Sequence, residues 1–352
     1  MLGKMLPLGI GDSHTTISRL QMAWLVEHII LGKLDRACPP DSTMLGQITD
    51  ILARMILDSR GRPTIEVDCF VDGRFSARAA VPSGASTGSH EAVELRDGGP
   101  MWLGSGVQRS VDNVNTILKN ELIGMSVHDQ TLIDERLITA DGTPNKSLLG
   151  ANSILGCSLA ILRASAKENG IPLWKSIPGE WPVGVMPVPL MNILNGGAHA
   201  ATNVDVQEFM VVPYGFSDFT SALRAGTETY HALKKTLKEK GLLSGIGDEG
   251  GFAPSLGRNE EGLELLVEAI ERAGYSSSSQ IGIALDVAAT EFYDSGKYSF
   301  DGKMIDGSEL SSLYSSWIEK YPIVSIEDPF SEDDWRSWIS FTEKGHDVLV
   351  IG

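Results

Sequence analysis

Ile281-Gly282-Ile283-Ala284-Leu285-Asp286-Val287-Ala288-Ala289-Thr290-Glu291-Phe292 is the stretch whose reading decides the fold. Ile281 to Leu285 form a short apolar run without helical spacing, which reads as a strand buried on both faces. The run ends on Asp286, and an acid at the end of a buried strand is costly unless a cation or hydrogen bonds meet it. The pattern recurs in Ile323-Val-Ser-Ile-Glu327-Asp328-Pro329 and again in Ser244-Gly-Ile-Gly-Asp248-Glu249-Gly250-Gly251. Strands that deliver acids to one rim suit a divalent cation with oxygen ligands, and an α/β barrel places its chemistry at that rim.

Outward from these runs, the second half of the chain alternates strand and helix. Strands are expected at 188–194, 206–212, 244–248, 281–286, 323–327 and 348–352. Helices are expected from the cap Asp218 to Lys240, from Asn259 with Glu260 and Glu261 in its first turn, over 308–320, and over 331–344 with Ser331 as cap. That makes about six of the eight strands of a closed barrel. An open barrel leaves an unpaired edge, so either another chain covers it or the sequence is a fragment. The fragment is the expected case.

The first half has a different rhythm. Thr64 to Val71, Asp72-Gly73, and Arg74 to Val81 read as a hairpin with a type I′ turn. A helix over 107–122 carries Val107, Val111, Val114, Ile117 and Leu118 on one stripe. A second covers roughly 129–138, and an apolar third runs from Ala151 to Asn169, closed by Gly170 and Pro172. The expected organisation is an amino-terminal extension over 1–43, an α+β domain over 44–177, and a partial α/β barrel over 184–352.

Composition narrows the partners. Hydrophobic content of 42% and charged content of 21% suit a chain that buries a large core. A net charge of −17 argues against nucleic acid or an anionic membrane surface, though not against a small phosphorylated substrate in a local cationic site. Cys38, Cys69 and Cys157 form neither a metal motif nor a disulfide framework, so a reducing cytoplasm is expected. No apolar run reaches the roughly 18 residues of a membrane span.

Each candidate residue has an ordinary reading when taken alone. Asp286 and Glu327-Asp328-Pro329 could be turn or cap residues. Glu249, among glycines that let the backbone approach a ligand, could be a general acid or a solvated acid in a turn. His199 and Ser86 could be plain loop residues. Gln207 and Glu208 alternate across a strand, so only one faces the rim centre unless the strand is bulged.

The ensemble is more specific. Asp58-Ser-Arg-Gly-Arg-Pro-Thr64, Ser83-Gly-Ala-Ser-Thr-Gly88, Leu194-Asn-Gly-Gly-Ala-His199, Gln207-Glu-Phe-Met210, Gly247-Asp-Glu-Gly-Gly-Phe252, Ala284-Leu-Asp-Val-Ala288 and Ser325-Ile-Glu-Asp-Pro-Phe330 occur in that order. Together they closely resemble the enolase family, in its bacterial form, from about residue 44 to residue 352. The resemblance implies a small α+β domain before an α/β barrel whose first hairpin is antiparallel, a homodimer, and Mg²⁺-dependent dehydration of 2-phosphoglycerate to phosphoenolpyruvate. It matches Glu249 to the general acid, Asp286 and Glu327 to ligands of the first Mg²⁺, and Ser86 to a lid serine that meets the second. His199, Gln207 and Glu208 match substrate-pocket positions, with Glu208 helping to hold the leaving hydroxyl. Arg62, where the family usually has Asn, and Ala201-Thr202 depart from the pattern outside this set. The family's third Mg²⁺ ligand, its catalytic lysine and a His-Arg-Ser substrate loop are expected beyond Gly352. The alternative is a non-catalytic enolase-like protein retained for binding or subunit association. Purified by itself, the 352-residue chain is expected to show no Mg²⁺-dependent rise in phosphoenolpyruvate absorbance, and robust turnover would overturn that expectation.

Overall fold

The computed structural model describes residues 46–84, 88–177, 186–197, 202–247 and 250–352, together with the backbone of Met5–Leu6. That dipeptide is a short strand, β1, paired antiparallel with Val188–Pro189. The described residues fall into two compact units that meet in sequence near residue 182.

The amino-terminal unit is an antiparallel sheet covered by helices. Its strands are Ile48–Leu57 (β2), Pro63–Val71 (β3) and Arg74–Ala80 (β4), in the order β2-β3-β4. Asp72 at φ 49° and Gly73 at φ 80° give the turn between β3 and β4 the two left-handed centres that a type I′ turn requires. The Asp72 carboxylate then accepts from the backbone N–H groups of Gly46 and Gln47, tying the entry of β2 to the hairpin. Strand β2 went unread in the sequence because a register shift between Ile48 and Asp50 breaks its alternation.

Helix Ala151–Glu168 lies on the inner face, where a Cβ at Gly156 would stand 2.7 Å from Val67 Cγ2. The helix expected over 107–122 is built as Gln108–Asn113, a wider π turn over Val114–Leu118, and Lys119–Leu122. The wider turn rotates the stripe. Val107, Val111, Val114 and Leu118 are buried as expected, but Ile117 is 43% exposed. Helix Gln130–Asp141 starts on Asp129, whose side chain accepts from the Leu132 N–H, and ends at left-handed Gly142.

The carboxyl-terminal unit is built on a five-stranded sheet. Val188–Pro189 is β5, and the sheet strands are Met191–Asn195 (β6), Glu208–Val212 (β7), Gly282–Asp286 (β8), Ile323–Glu327 (β12) and Leu349–Ile351 (β13). β7 runs antiparallel to both β6 and β8, while β8, β12 and β13 are parallel. The antiparallel first hairpin is therefore present, and among the described residues the sheet is open rather than a closed barrel.

Its strands are apolar along their length because both faces are covered. Phe209, Val211, Ile283 and Leu285 join the large core beneath the helices, whereas Met210, Val212 and Ala284 form a smaller cluster on the opposite face with Val188. Helices Phe219–Glu239, Glu260–Arg272, Gly307–Lys320 and Trp335–Thr342 follow the strands. Asp218 caps the first, and Asp306 with Glu309 makes a capping box on the third.

Two expectations need correction, and one element adds to them. The stretch 244–248 supplies no sheet strand among its described residues; single-residue bridges join Ile246 to Phe252 and Leu194 to Phe252 instead. Glycines at 245 and 247 deny it a packing face, and Ile246 is 63% exposed. The last helix begins at Trp335 with Asp334 as cap, because buried Ser331 donates its N–H to the Tyr298 hydroxyl. A three-stranded meander of Tyr293–Asp294 (β9), Lys297–Phe300 (β10) and Lys303–Ile305 (β11) was not foreseen; its strands are too short to show a period.

Two measurements probe this packing. A Cβ at Gly196 would lie 2.6 Å from the carbonyl oxygens of both Val204 and Val206, so Gly196→Ala must push two backbones apart. The expected loss is about 1–3 kcal/mol, read as a lower denaturation midpoint; an unchanged midpoint would refute the crowding. Burial pushes the Asp134 carboxyl up to about 6, and hydrogen bonds from Ser158 and Gln130 only partly offset it. An acid whose folded pKa is raised favours folding below its unfolded pKa and loses that contribution as pH climbs through the folded value. Asp134→Asn is thus expected to match the parent near pH 4 and to exceed it by roughly 2–3 kcal/mol at pH 8. A stability difference independent of pH would contradict this.

Candidate active site at the carboxyl ends of the sheet strands

Backbone pairing aligns the candidate residues. Asn195 pairs with Glu208, Glu208 with Asp286, Asp286 with Glu327, and Glu327 with Ile351. Paired residues on neighbouring strands point to the same face of a sheet, so Asn195, Glu208, Asp286 and Glu327 form one row. The row lies on the face of Met210 and Ala284, two residues farther down β7 and β8, away from the helix-covered core. A register shift between Ile323 and Ser325 brings Glu327 into phase with Asp286.

Glu208 and Asp286 are buried, at 8% and 7% exposure, while Glu327 and Asp328 are half-buried. Oxygens of Asp286, Glu327 and Asp328 all lie within 4.8 Å of one another. Carboxylates that close repel one another, and a hard divalent cation is the species whose ligand preference matches three such oxygens. The donor set therefore fits Mg²⁺.

Asp328 is the member that sequence reasoning left among turn residues. Adjacent residues of a straight strand face opposite ways, but Asp328 has φ 45° and departs from the strand. Aspartate tolerates this left-handed conformation better than most residues. The bend is held by Asp328 N–H donating to Ile351 O and by Ala289 N–H donating to Asp328 O, with Ala288 also left-handed at φ 48°. The acid followed by proline was the available signal, since that pair often leaves a strand in a turn.

Asn195 was also missed. It is fully buried at the end of the row, donates its N–H to Phe252 O, and lies against Gly251, where a Cβ would come within 2.3 Å of Asn195 Oδ1. A glycine at 251 is therefore required by close approach to β6, consistent with the Gly-Gly pair before Phe252. Gln207, immediately before β7, is buried at 3%, and its carbonyl accepts from the Gly196 N–H. Ser86, His199 and Glu249 lie outside the described residues. The sequence candidates brought together are thus Glu208, Asp286 and Glu327, with Gln207 beside them.

No helix among the described residues is long and apolar enough to cross a membrane. Cys69 and Cys157 are free and buried, and burial pushes the Cys69 thiol up to about 12.

The chain matches two known family models, one for each unit. Residues 48–177 match the family model of the enolase N-terminal domain. Residues 183–352 match that of the enolase C-terminal TIM barrel domain. With both domains matched in order over most of its length, the chain belongs to the enolase family.

Proposed function

We propose that this chain is an enolase-family lyase of bacterial type, acting in the Mg²⁺-dependent dehydration of 2-phosphoglycerate to phosphoenolpyruvate in glycolysis. The observation that carries the reading is the convergence of Asp286, Glu327 and Asp328 at the ends of adjacent strands, with Glu208 beside Asp286 in the row. Asp286 and Glu327 would hold the cation, with Asp328 in reach of the same point. A bound Mg²⁺ supplies charge neutralisation at the substrate carboxylate, where negative charge grows as carbon 2 loses its proton.

The chain's own residues take the remaining roles. Glu208 is placed by register beside Asp286 and is assigned to hold the departing hydroxyl. Gln207 and His199 are assigned to contact the substrate, Glu249 to protonate the hydroxide as it leaves, and Ser86 to meet a second cation. These assignments rest on the motif match. A homodimer and a cytoplasmic location complete the reading; two buried free thiols among the described residues suit a reducing compartment.

The test is titration calorimetry of the purified chain with Mg²⁺ and with Mn²⁺, followed by 2-phosphoglycerate in their presence. Asp286→Asn and Glu327→Gln are each expected to weaken the cation by about tenfold or more, since each removes a formal charge and a ligand oxygen. Binding of 2-phosphoglycerate is expected only with the cation present. Cation affinity unchanged in both variants would remove the reading.

A further inference from the structure

Asn259 sits at the start of helix Glu260–Arg272, where an asparagine ordinarily accepts from the N–H groups of its own helix. Its side chain makes no such bond. It is 1% exposed and spends both ends of its amide elsewhere. Oδ1 accepts from the backbone N–H groups of Asp205 at 2.7 Å and Val206 at 3.1 Å. Nδ2 donates to Asp205 Oδ2 and to Asp301 Oδ1, both at 2.7 Å. The Asn259 N–H donates to Asp301 Oδ1 at 2.8 Å, and the Asp301 N–H donates to Asp205 Oδ2 at 2.8 Å. Two acceptor and two donor positions of one amide are used, which is its full capacity.

The knot joins three segments that are distant in sequence: the loop entering β7, the start of a helix, and the turn between β10 and β11. That turn is itself constrained, with Asp301 at φ 48° and Gly302 at φ 70°. The loop end of the knot matters most. Residues 203–207 have no strand pairing of their own, and Val204 and Val206 are buried. On the other side the loop is held by Gly197 N–H donating to Val204 O and Gly196 N–H donating to Gln207 O. Two residues beyond Val206, Glu208 takes its place opposite Asp286. A slip of one residue at this entry would exchange Gln207 and Glu208 between the two faces of the sheet.

We propose that Asn259 is a positioning residue for the acidic row: by binding Asp205 and Asp301 at once it fixes the loop entering β7 and so the register of Glu208 beside Asp286. The inference rests on the cation site proposed above. It assigns to a residue touching neither cation nor substrate a share in their affinity. Asn259→Asp would bring a third carboxylate against two and remove the shared donor, whereas Asp301→Asn keeps a carbonyl oxygen able to accept both Asn259 N–H groups.

The experiment measures Mn²⁺ affinity and the thermal midpoint of the purified chain in parallel. Asn259→Asp and Asn259→Ala are expected to weaken Mn²⁺ by about 10–100-fold, the range typical of residues that orient ligands from behind. Asp301→Asn should stay near the parent and Asp301→Ala should lose affinity. Asn152→Ala, which removes a buried amide bonded to the Leu95 backbone in the other unit, should lower the midpoint and leave Mn²⁺ affinity as it was. If Mn²⁺ binding disappears in Asp286→Asn yet persists at parental strength in folded Asn259 variants, the positioning role is overturned while the cation site stands. If the Asn259 variants do not fold, Asp301→Ala decides: weakened Mn²⁺ supports the role and unchanged Mn²⁺ overturns it. Equal weakening by Asn152→Ala reduces the knot to general stability and overturns it too. A parent chain that binds no Mn²⁺ overturns both readings.

Discussion

Backbone pairing of β7, β8 and β12 is the constraint on which the candidate chemistry depends. Hydrogen bonds between peptide groups know nothing of side-chain charge, yet their register sets which side chains are neighbours. Here the register places Glu208, Asp286 and Glu327 side by side. The apolar halves of the same strands hold that register, since Phe209, Val211, Ile283 and Leu285 can be buried beneath the helices in one phase only. The hydrophobic core thus enforces a convergence of like charges that the charges themselves resist.

Departures from ideal geometry gather at the ends of these strands. Ala288 and Asp328 are both left-handed, and a register shift separates Ile323 from Ser325. Each non-glycine residue held in that conformation costs on the order of 1–3 kcal/mol and survives only where its surroundings overdetermine it. Around Asp328 the surroundings are backbone bonds to Ile351 and Ala289. The consequence is a third carboxylate where a regular strand offers two. Asn259 is a comparable departure, a helix-capping residue type diverted to hold a loop.

Two acids of the amino-terminal unit that are nearly out of contact with solvent titrate far apart, because their neighbours and their depth of burial differ. Asp68 is 3% exposed and Asp134 is 5% exposed. Asp68 is bonded by the guanidinium groups of Arg78 and Arg54, which outweigh burial and bring its carboxyl to about 2. Burial of Asp134, met only by a hydroxyl and an amide, takes its carboxyl to about 6. The same physics makes a divalent cation the natural counterpart of the acids at the end of β8 and β12.

Local chemistry was legible in the residues themselves. The apolar run ending on Asp286, the strand Ile323–Glu327, the Asp72-Gly73 turn and the Asp218 cap each follow from short-range sterics and hydrogen bonding, and each stands where the sequence put it. The ordered motifs likewise pointed to the enolase family. Tertiary structure decided what depends on partners far along the chain. Strand β2 alternates imperfectly and is a strand because β3 pairs with it, whereas 244–247, Ser-Gly-Ile-Gly, has two glycines and no apolar face to pair through. The third carboxylate at Asp328, the buried Asn195 and the diverted Asn259 belong to the same class. Sequence spacing states which side chains a segment offers to each face, but only the register between segments, set by burial of their apolar neighbours, determines which of those side chains meet.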